Sequence, residues 1–249
     1  MSEELVSHPA EVQVAIVTGG SRGIGFAVVK ALLDRGFKVH FCGLTATGVD
    51  TALDKLAPYG AHASGRAVDV GDQEKVDAFV GDVLEIDGRV DVLVNNAGIG
   101  YFAPVDEISG DDWRRLQRTN LDGPFYFMRA VAPAMQEAGQ GFIFNVGSLA
   151  GRHAMAGGAA YNASKFGLVG LTEAAMLDLR SFGVRVAAIL PGSVATGFGR
   201  ETDDDRWKLQ PDDIARTIID MLDFPSHALP SVVELRPTHT AKTWRSRTT

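Results

Sequence analysis

Short runs rich in β-branched residues alternate along this chain with longer stretches whose apolar positions recur at helical spacing. Val12–Thr18 is an apolar run ending in glycines, the pattern of a buried strand. Ile24–Arg35 carries apolar residues at helical spacing and stops at Gly36, a residue suited to a helix C-terminus. The same alternation predicts strands at Val39–Cys42, Ala63–Val68 (the weakest), Val92–Val94, Phe142–Val146, Val184–Leu190 and Val232–Leu235. Helices are predicted over Val49–Leu56, Val76–Ile86, Asp111–Thr119, Leu121–Glu137, Tyr161–Phe182 and Ile214–Leu222. Val76, Phe79, Val80, Val83 and Leu84 make one apolar helical face. Gly183 and Pro191-Gly192 stop the elements before them, and Pro211-Asp212 opens the last helix.

Strand and helix repeat without a compositional break, which predicts an α/β fold: a doubly wound parallel sheet of about seven strands with helices on both faces. No linker, internal repeat or low-complexity segment interrupts it. The expectation is one domain over residues 1–249, with its core at 12–237 and terminal extensions at 1–11 and 238–249. The last extension is polar and basic (Lys242, Arg245, Arg247), either a mobile end or an arm that docks on a neighbouring subunit.

Composition narrows the function. The 249 residues are 45% hydrophobic and 22% charged, ordinary values for a globular protein, and a single α/β domain of that length buries a substantial core. The net charge of -7 argues against nucleic-acid binding, which needs a basic face. Cys42 is the only cysteine, so no internal disulfide forms, as suits a reducing compartment. The first residues, Met1 to Glu11, lack a basic-then-apolar leader, and no apolar run approaches the ~20 residues of a membrane span. These features predict a cytoplasmic protein with no membrane partner. No metal-ligand cluster is read.

The first strand runs into Thr18-Gly19-Gly20-Ser21-Arg22-Gly23-Ile24-Gly25, and a helix follows at once. Glycines let backbone approach a pyrophosphate, and the helix N-terminus offers free N–H groups to it. A tight structural turn is the bland alternative; the position between a buried strand and a helix favours nucleotide binding. The spacing T-G-x-x-x-G-x-G resembles that of the short-chain dehydrogenase/reductase family, and the resemblance extends from Val12 to about Pro237. Further matches are Asn95-Asn96-Ala97-Gly98 after the fourth strand, Asn120 in Thr119-Asn120-Leu121, and Ser148 after the fifth strand. Tyr161-Asn162-Ala163-Ser164-Lys165 fits Y-x-x-x-K, and Pro191-Gly192-Ser193-Val194-Ala195-Thr196 fits P-G-x-V-x-T.

On a helix, Tyr161 and Lys165 share a face. A free phenol has a pKa near ~10, and a close cation is expected to lower it, so Tyr161 exchanges a proton with the substrate oxygen. Ser148 is expected to hold that oxygen. The resemblance implies that Lys165 also bonds the nicotinamide ribose and that Asn120 supports a water chain to it. It implies a nicotinamide dinucleotide held by Gly19, Ser21, Arg22, Gly23, Ile24, Gly25, Asp69, Val70, Asn96, Ala97, Gly98, Tyr161, Lys165, Pro191, Gly192, Val194 and Thr196. Within that set Asp69 serves the adenine ring, while Val194 and Thr196 serve the carboxamide. Taken alone, Asp69 reads equally as a turn residue, Asn120 as a helix cap and Ser148 as a loop cap.

Where NAD-binding folds carry an acid after the second strand, this chain has Gly43-Leu44. A 2′-phosphate is therefore not repelled, Arg22 matches the basic residue that serves it in relatives, and Thr45 offers a hydroxyl. NADP(H) is expected, with NAD(H) as the alternative. The reaction implied is hydride transfer between this cofactor and a small carbonyl or secondary-alcohol substrate. The alternatives are a 3-oxoacyl thioester reductase specifically, or a non-catalytic dinucleotide-binding sensor. Pocket candidates are Tyr101, Phe102, Arg152, His153 and Met155, with a charged segment at Gly197–Lys208 that reads equally as a solvated loop or as a lid in which Phe198 and Trp207 cover an apolar ligand; Arg152 and His153 suit an anionic or polar group, though a lone Arg-His pair is more often surface. The resemblance implies a homodimer through the helices around Leu121–Glu137 and Tyr161–Phe182, a monomer being the alternative. The last strand, Val232-Val233-Glu234-Leu235-Arg236-Pro237, lacks the D-G-G on which many relatives build a homotetramer.

Overall fold

The computed structural model describes residues 12–198, 204–241 and 243–244. In chain order the elements are β1 (Val14–Thr18), α1 (Gly23–Asp34), β2 (Lys38–Gly43), α2 (Ala46–Leu56), β3 (Ala63–Ala67), α3 (Gln73–Asp87) and β4 (Val92–Asn95). Then come α4 (Gly110–Gln117), α5 (Gly123–Ala138), β5 (Gly141–Val146), α6 (Ala159–Leu179), β6 (Val184–Pro191), α7 (Pro211–Leu222) and β7 (Val232–Leu235). The strands form one parallel sheet in the order β3-β2-β1-β4-β5-β6-β7. Register is set by pairs such as Ala15 with Val39 and Ala15 with Val92. This is the doubly wound arrangement that the alternation predicts.

Side-chain alternation along β1 divides the interior. Ala15 and Val17 enter a core with Val28, Leu32, Ile214 and Ile218, so α1 and α7 cover that face. Val14 and Ile16 enter the opposite core with Phe79, Val83, Phe127 and Val131, under α3 and α5. Every residue of β1 and β4 is buried, as expected of strands covered on both sides. β3 lies at the sheet edge and is largely exposed, which explains its weak apolar signal. A side chain at its Gly65 would come within 2.5 Å of the Phe41 ring.

Several boundaries differ from expectation, each for a local reason. β1 starts at Val14, whose N–H donates to the Asp91 carboxylate at 2.8 Å, and Val12 lies exposed before it. α2 begins three residues earlier than expected because Thr45 caps it, accepting from Gly48 N at 3.2 Å. α3 likewise starts at Gln73, capped by Asp72. α7 starts at Pro211, behind a reciprocal cap between Gln210 and Asp213. The helices expected at Asp111–Thr119 and Leu121–Glu137 are one continuous run, with a π-helical turn at Arg118–Asp122 between α4 and α5. Asn120 sits inside that turn and is no helix cap. α6 ends at Leu179, and a 3₁₀ turn (Arg180–Phe182) carries the chain to Gly183, whose φ is +76°. No helix among the described residues is long and apolar enough to cross a membrane.

Candidate active site

The strand order reverses between β1 and β4, and the crevice beyond their C-terminal ends is where open α/β sheets take ligands. The glycine turn shapes one wall. Gly19 has φ +65°, and a Cβ there would lie 2.9 Å from the Ala97 Cα. A Cβ on Gly25 would lie 2.2 Å from the Gly19 carbonyl oxygen, so α1 can pack this close only with glycine at that position. Thr18 Oγ1 accepts from the N–H groups of both Asn96 and Ala97 at 3.0 Å, and Asn96 Nδ2 donates to the carbonyls of Thr18 and Gly19. Gly19, Asn96 and Ala97 are thereby fixed against one another.

α1 opens with Arg22 at its cap position, but no side chain caps it and its first turn holds no acid. Its first intrahelical N–H donor is that of Phe26, to the Arg22 carbonyl, so the N–H groups of Gly23, Ile24 and Gly25 precede the ladder. A cradle in which a Cβ does not fit, joined to an uncapped helix N-terminus, suits a dinucleotide pyrophosphate. Arg22 is exposed and makes no ion pair with a described residue; Ser21 is half-buried against Gly43. Leu44 is 65% exposed, so the position after β2 is neutral and open.

The remaining sequence candidates are placed unevenly. Asp69 accepts from Gly71 N at 3.0 Å, a turn bond. The Val70 side chain is buried in the α3/α5 core, so only its backbone can face a ligand. Pro191 ends β6 buried, and Gly192 N donates to the Leu235 carbonyl. Val194 bridges to Leu209, and the Thr196 side chain lies 3.4 Å from where a Gly23 Cβ would stand. The Pro191–Thr196 segment thus reaches across to the glycine turn.

Ser148, Tyr161, Lys165 and Asn120 converge at the crevice. Ser148 leaves β5 and accepts from Ala150 N at 3.1 Å, capping a 3₁₀ turn at Leu149–Gly151. A Cβ on Gly151 would lie 2.7 Å from the Lys165 carbonyl, so this turn presses directly on α6. The Ser148 hydroxyl lies close enough to the Tyr161 phenol to favour its ionised form. Lys165 Nζ donates to the Val146 carbonyl at 3.1 Å. Asn120 is fully buried: its Oδ1 accepts from Ile99 N, and its Nδ2 donates to the Ile99 carbonyl and to Ser164 Oγ. Around Gly98, a Cβ would stand 3.4 Å from Asn120 Oδ1 and 3.9 Å from Lys165 Nζ, so this glycine keeps the space beside the lysine open.

Two positioning residues were not singled out from the sequence. Asn162 Nδ2 donates to the carbonyls of Ala150 and His153, and its Oδ1 accepts from Met155 N, stitching the Ser148 loop to α6. Asn145 links β4 to α6: it accepts from Asn95 Nδ2 and donates to Thr172 Oγ1, both at 2.9 Å. Asparagine amid the apolar residues of β5 is the signal that marks it.

The electrostatics correct one expectation. Burial pulls the Lys165 ammonium down to about 8. Burial pushes the Tyr161 phenol up, and the neighbouring Ser148 hydroxyl offsets only part of that rise. Lys165 does not lower it: the ammonium stands 5.9 Å from the ring centroid, so desolvation of the phenolate dominates.

The pocket candidates also sort themselves. Phe102 and Phe198 flank the Tyr161 ring, with centroids 5.3 and 6.0 Å from it. Arg152 faces Glu173 at 3.7 Å and Glu234 at 3.9 Å, and His153 meets Arg236 at 3.2 Å, so both basic side chains turn to β7 and α6 partners. They stand as paired surface residues, the reading the sequence weighed above an anion-binding pair. Trp207 covers no part of the Tyr161 group; it lines a separate cavity of about 640 Å³ against α7 and residues 235–239. The lid residues Gly199–Asp203, and Lys242, Arg245 and Arg247 of the tail, lie outside the described residues. The described tail turns back onto its own chain, with Trp244 Nε1 donating to Asp204 at 2.8 Å.

Comparison with known proteins agrees with this geometry. Residues 13–207 match the family model for the short chain dehydrogenase. The chain is 35% identical to a 3-oxoacyl-acyl-carrier-protein reductase of Vibrio cholerae, covering 79% of each protein. It is 36% identical to 3beta-hydroxysteroid dehydrogenase 2 of Eggerthella lenta, over 75% of this chain and 73% of that one. Among solved structures, a metagenomic short-chain oxidoreductase in complex with NADP superposes with a TM-score of 0.82 at 38% identity, covering 92% of this chain and 98% of the other.

Proposed function

The chain belongs to the short-chain dehydrogenase/reductase family, oxidoreductases that bind nicotinamide dinucleotides and act on CH–OH and C=O groups, and from that premise we propose that it interconverts a ketone or aldehyde and its alcohol with Tyr161 as general acid and base. The observation that carries this reading is the buried Tyr161 phenol beside Ser148, one helical turn from the buried Lys165 ammonium, which stands 5.9 Å from the Tyr161 ring centroid. When bound, the nicotinamide supplies the hydride for reduction of the carbonyl carbon, or takes it in the reverse direction. In reduction, Ser148 orients the carbonyl oxygen and Tyr161 gives it the phenolic proton, so the oxygen leaves as a hydroxyl. The raised phenol is held protonated at neutral pH, the form a reductase needs. Lys165 holds the ribose side of the cofactor, and Asn120, fixed by its bond to Ser164, supports a water chain that returns protons to Lys165.

The glycine cradle, the N-terminus of α1, Ser21, the Asp69–Val70 backbone, Asn96–Gly98 and the Pro191–Thr196 segment hold the dinucleotide. NADP(H) is preferred over NAD(H), because Arg22 is exposed beside the cradle and Leu44 leaves no carboxylate to repel a 2′-phosphate. The whole chain works as one catalytic domain in the cytoplasm, where its lone Cys42 stays a buried thiol pushed up to about 12. Two copies associate through α5 and α6. Phe166, Gly170 and Leu177 follow one another along α6, both apolar residues are about half exposed, and open space lies over Gly170. The net charge of -7 disfavours a nucleic-acid partner.

The test follows the absorbance of NADPH and NADH separately against ketones, aldehydes, 3-oxoacyl thioesters and quinones. Turnover with NADPH is expected. Preference for NADH would reverse the cofactor assignment, and dinucleotide binding without turnover on any carbonyl would favour a sensor.

A further inference from the structure

Phe102 and Phe198 come from different segments, one after β4 and one after β6, yet both rings lean on Tyr161. Gly100 makes their meeting possible. A Cβ there would lie 2.9 Å from Phe198 Cζ and 3.1 Å from Phe102 Cε2, so any larger residue would push the two rings apart. Both phenylalanines remain nearly half exposed (45% and 44%), as does Met155 at 50%. On the inner side, Leu116, Ala150 and Ala160 pack with Tyr161, and Ile99 and Ile108 close that cluster. The phenol therefore stands in an apolar setting with two ring faces open toward solvent. The basic pocket candidates, Arg152 and His153, face Glu173, Glu234 and Arg236 instead.

On the reading that Tyr161 protonates a carbonyl oxygen, we propose that Phe102 and Phe198 determine specificity, and that the substrate class is an uncharged ketone or secondary alcohol bearing a flat apolar ring next to the reacting carbon. An aromatic substituent stacks offset or edge-on against such rings, an arrangement that adds to simple burial. A linear thioester offers no flat ring to stack on them and gains less there.

The experiment measures kcat/KM with NADPH for acetophenone, butan-2-one and the 3-oxobutanoyl thioester of N-acetylcysteamine. Wild type is expected to favour acetophenone over butan-2-one by at least ~10-fold, the scale on which apolar pockets discriminate. Phe102→Ala and Phe198→Ala should each cut that ratio by at least about 5-fold, chiefly through a higher KM for acetophenone. Phe102→Leu and Phe198→Leu, which keep apolar volume but lose the ring, should lower the ratio by a smaller factor. NADPH affinity in every variant reports that the fold survives. A ratio unchanged by the substitutions, or a preference for the thioester, overturns the inference while leaving the hydride-transfer reading intact. A wild type that binds NADPH and reduces none of the three overturns the inference, and if it also turns over no aldehyde or quinone the hydride-transfer reading falls with it.

Discussion

At the residue scale, burial acts on Tyr161 and Lys165 through the same physics with opposite signs: it raises the phenol and lowers the ammonium. The lysine carries a consequence for stability. Its folded value of about 8 lies below its ordinary 10.5, so keeping it charged inside the protein opposes folding below pH 8. That cost fades as pH rises from about 8 to 10.5, above which the lysine is neutral in both states. Lys165→Met should therefore abolish turnover yet raise stability at neutral pH by ~1–3 kcal/mol, net of the lost bond to Val146. Urea unfolding at neutral pH and near pH 10 checks this; the gain should shrink at the higher pH. The pairing of Tyr161 with Lys165 was legible from a spacing of four residues on a helix. The direction of the phenol shift was not, because sequence spacing reports neighbours and says nothing of how much water the fold removes.

At the scale of elements, the turns that hold the site are more specific than the helices they join. Gly25→Ala places a methyl 2.2 Å from the Gly19 carbonyl, so α1 must move or the cradle must open. The expected outcome is loss of dinucleotide affinity by more than about 10-fold, since the phosphates depend on those N–H groups. Fluorescence titration with NADPH measures it. The elements at either end of the motifs were readable because glycine, proline and apolar periodicity mark them. The π-helical turn at Arg118–Asp122 was not: a break between two helices and a single extra residue within one helix leave the same apolar pattern. That turn is what directs Asn120 inward to Ile99 and Ser164. The surface reading of Arg152 and His153 was legible, but their partners were not, since Glu234 and Arg236 arrive with β7 and the residue after it, more than 80 residues along the chain.

At the scale of the molecule, the sheet order brings segments from β1, β4, β5 and β6 to one edge, and every proposed reacting group lies there. Strand–helix alternation made that topology legible, because right-handed crossovers leave few ways to arrange such a chain. The proposed association of two copies was open to sequence only through likeness to relatives; the exposed Phe166 and Leu177 on α6 are the surface on which that proposal rests. Phe166→Glu would set a buried charge in that contact, so light scattering should find a dimer for wild type and a monomer for the variant, with the far-ultraviolet spectrum unchanged.

The proposed chemistry needs the phenol of Tyr161 as the proton donor. Single-turnover reduction of a ketone by bound NADPH, compared between wild type and Tyr161→Phe, tests that role most directly. The variant's rate is expected to fall by ~10²–10⁴-fold, with NADPH affinity kept within about 3-fold. A variant that reduces the ketone within about 3-fold of the wild-type rate would contradict it.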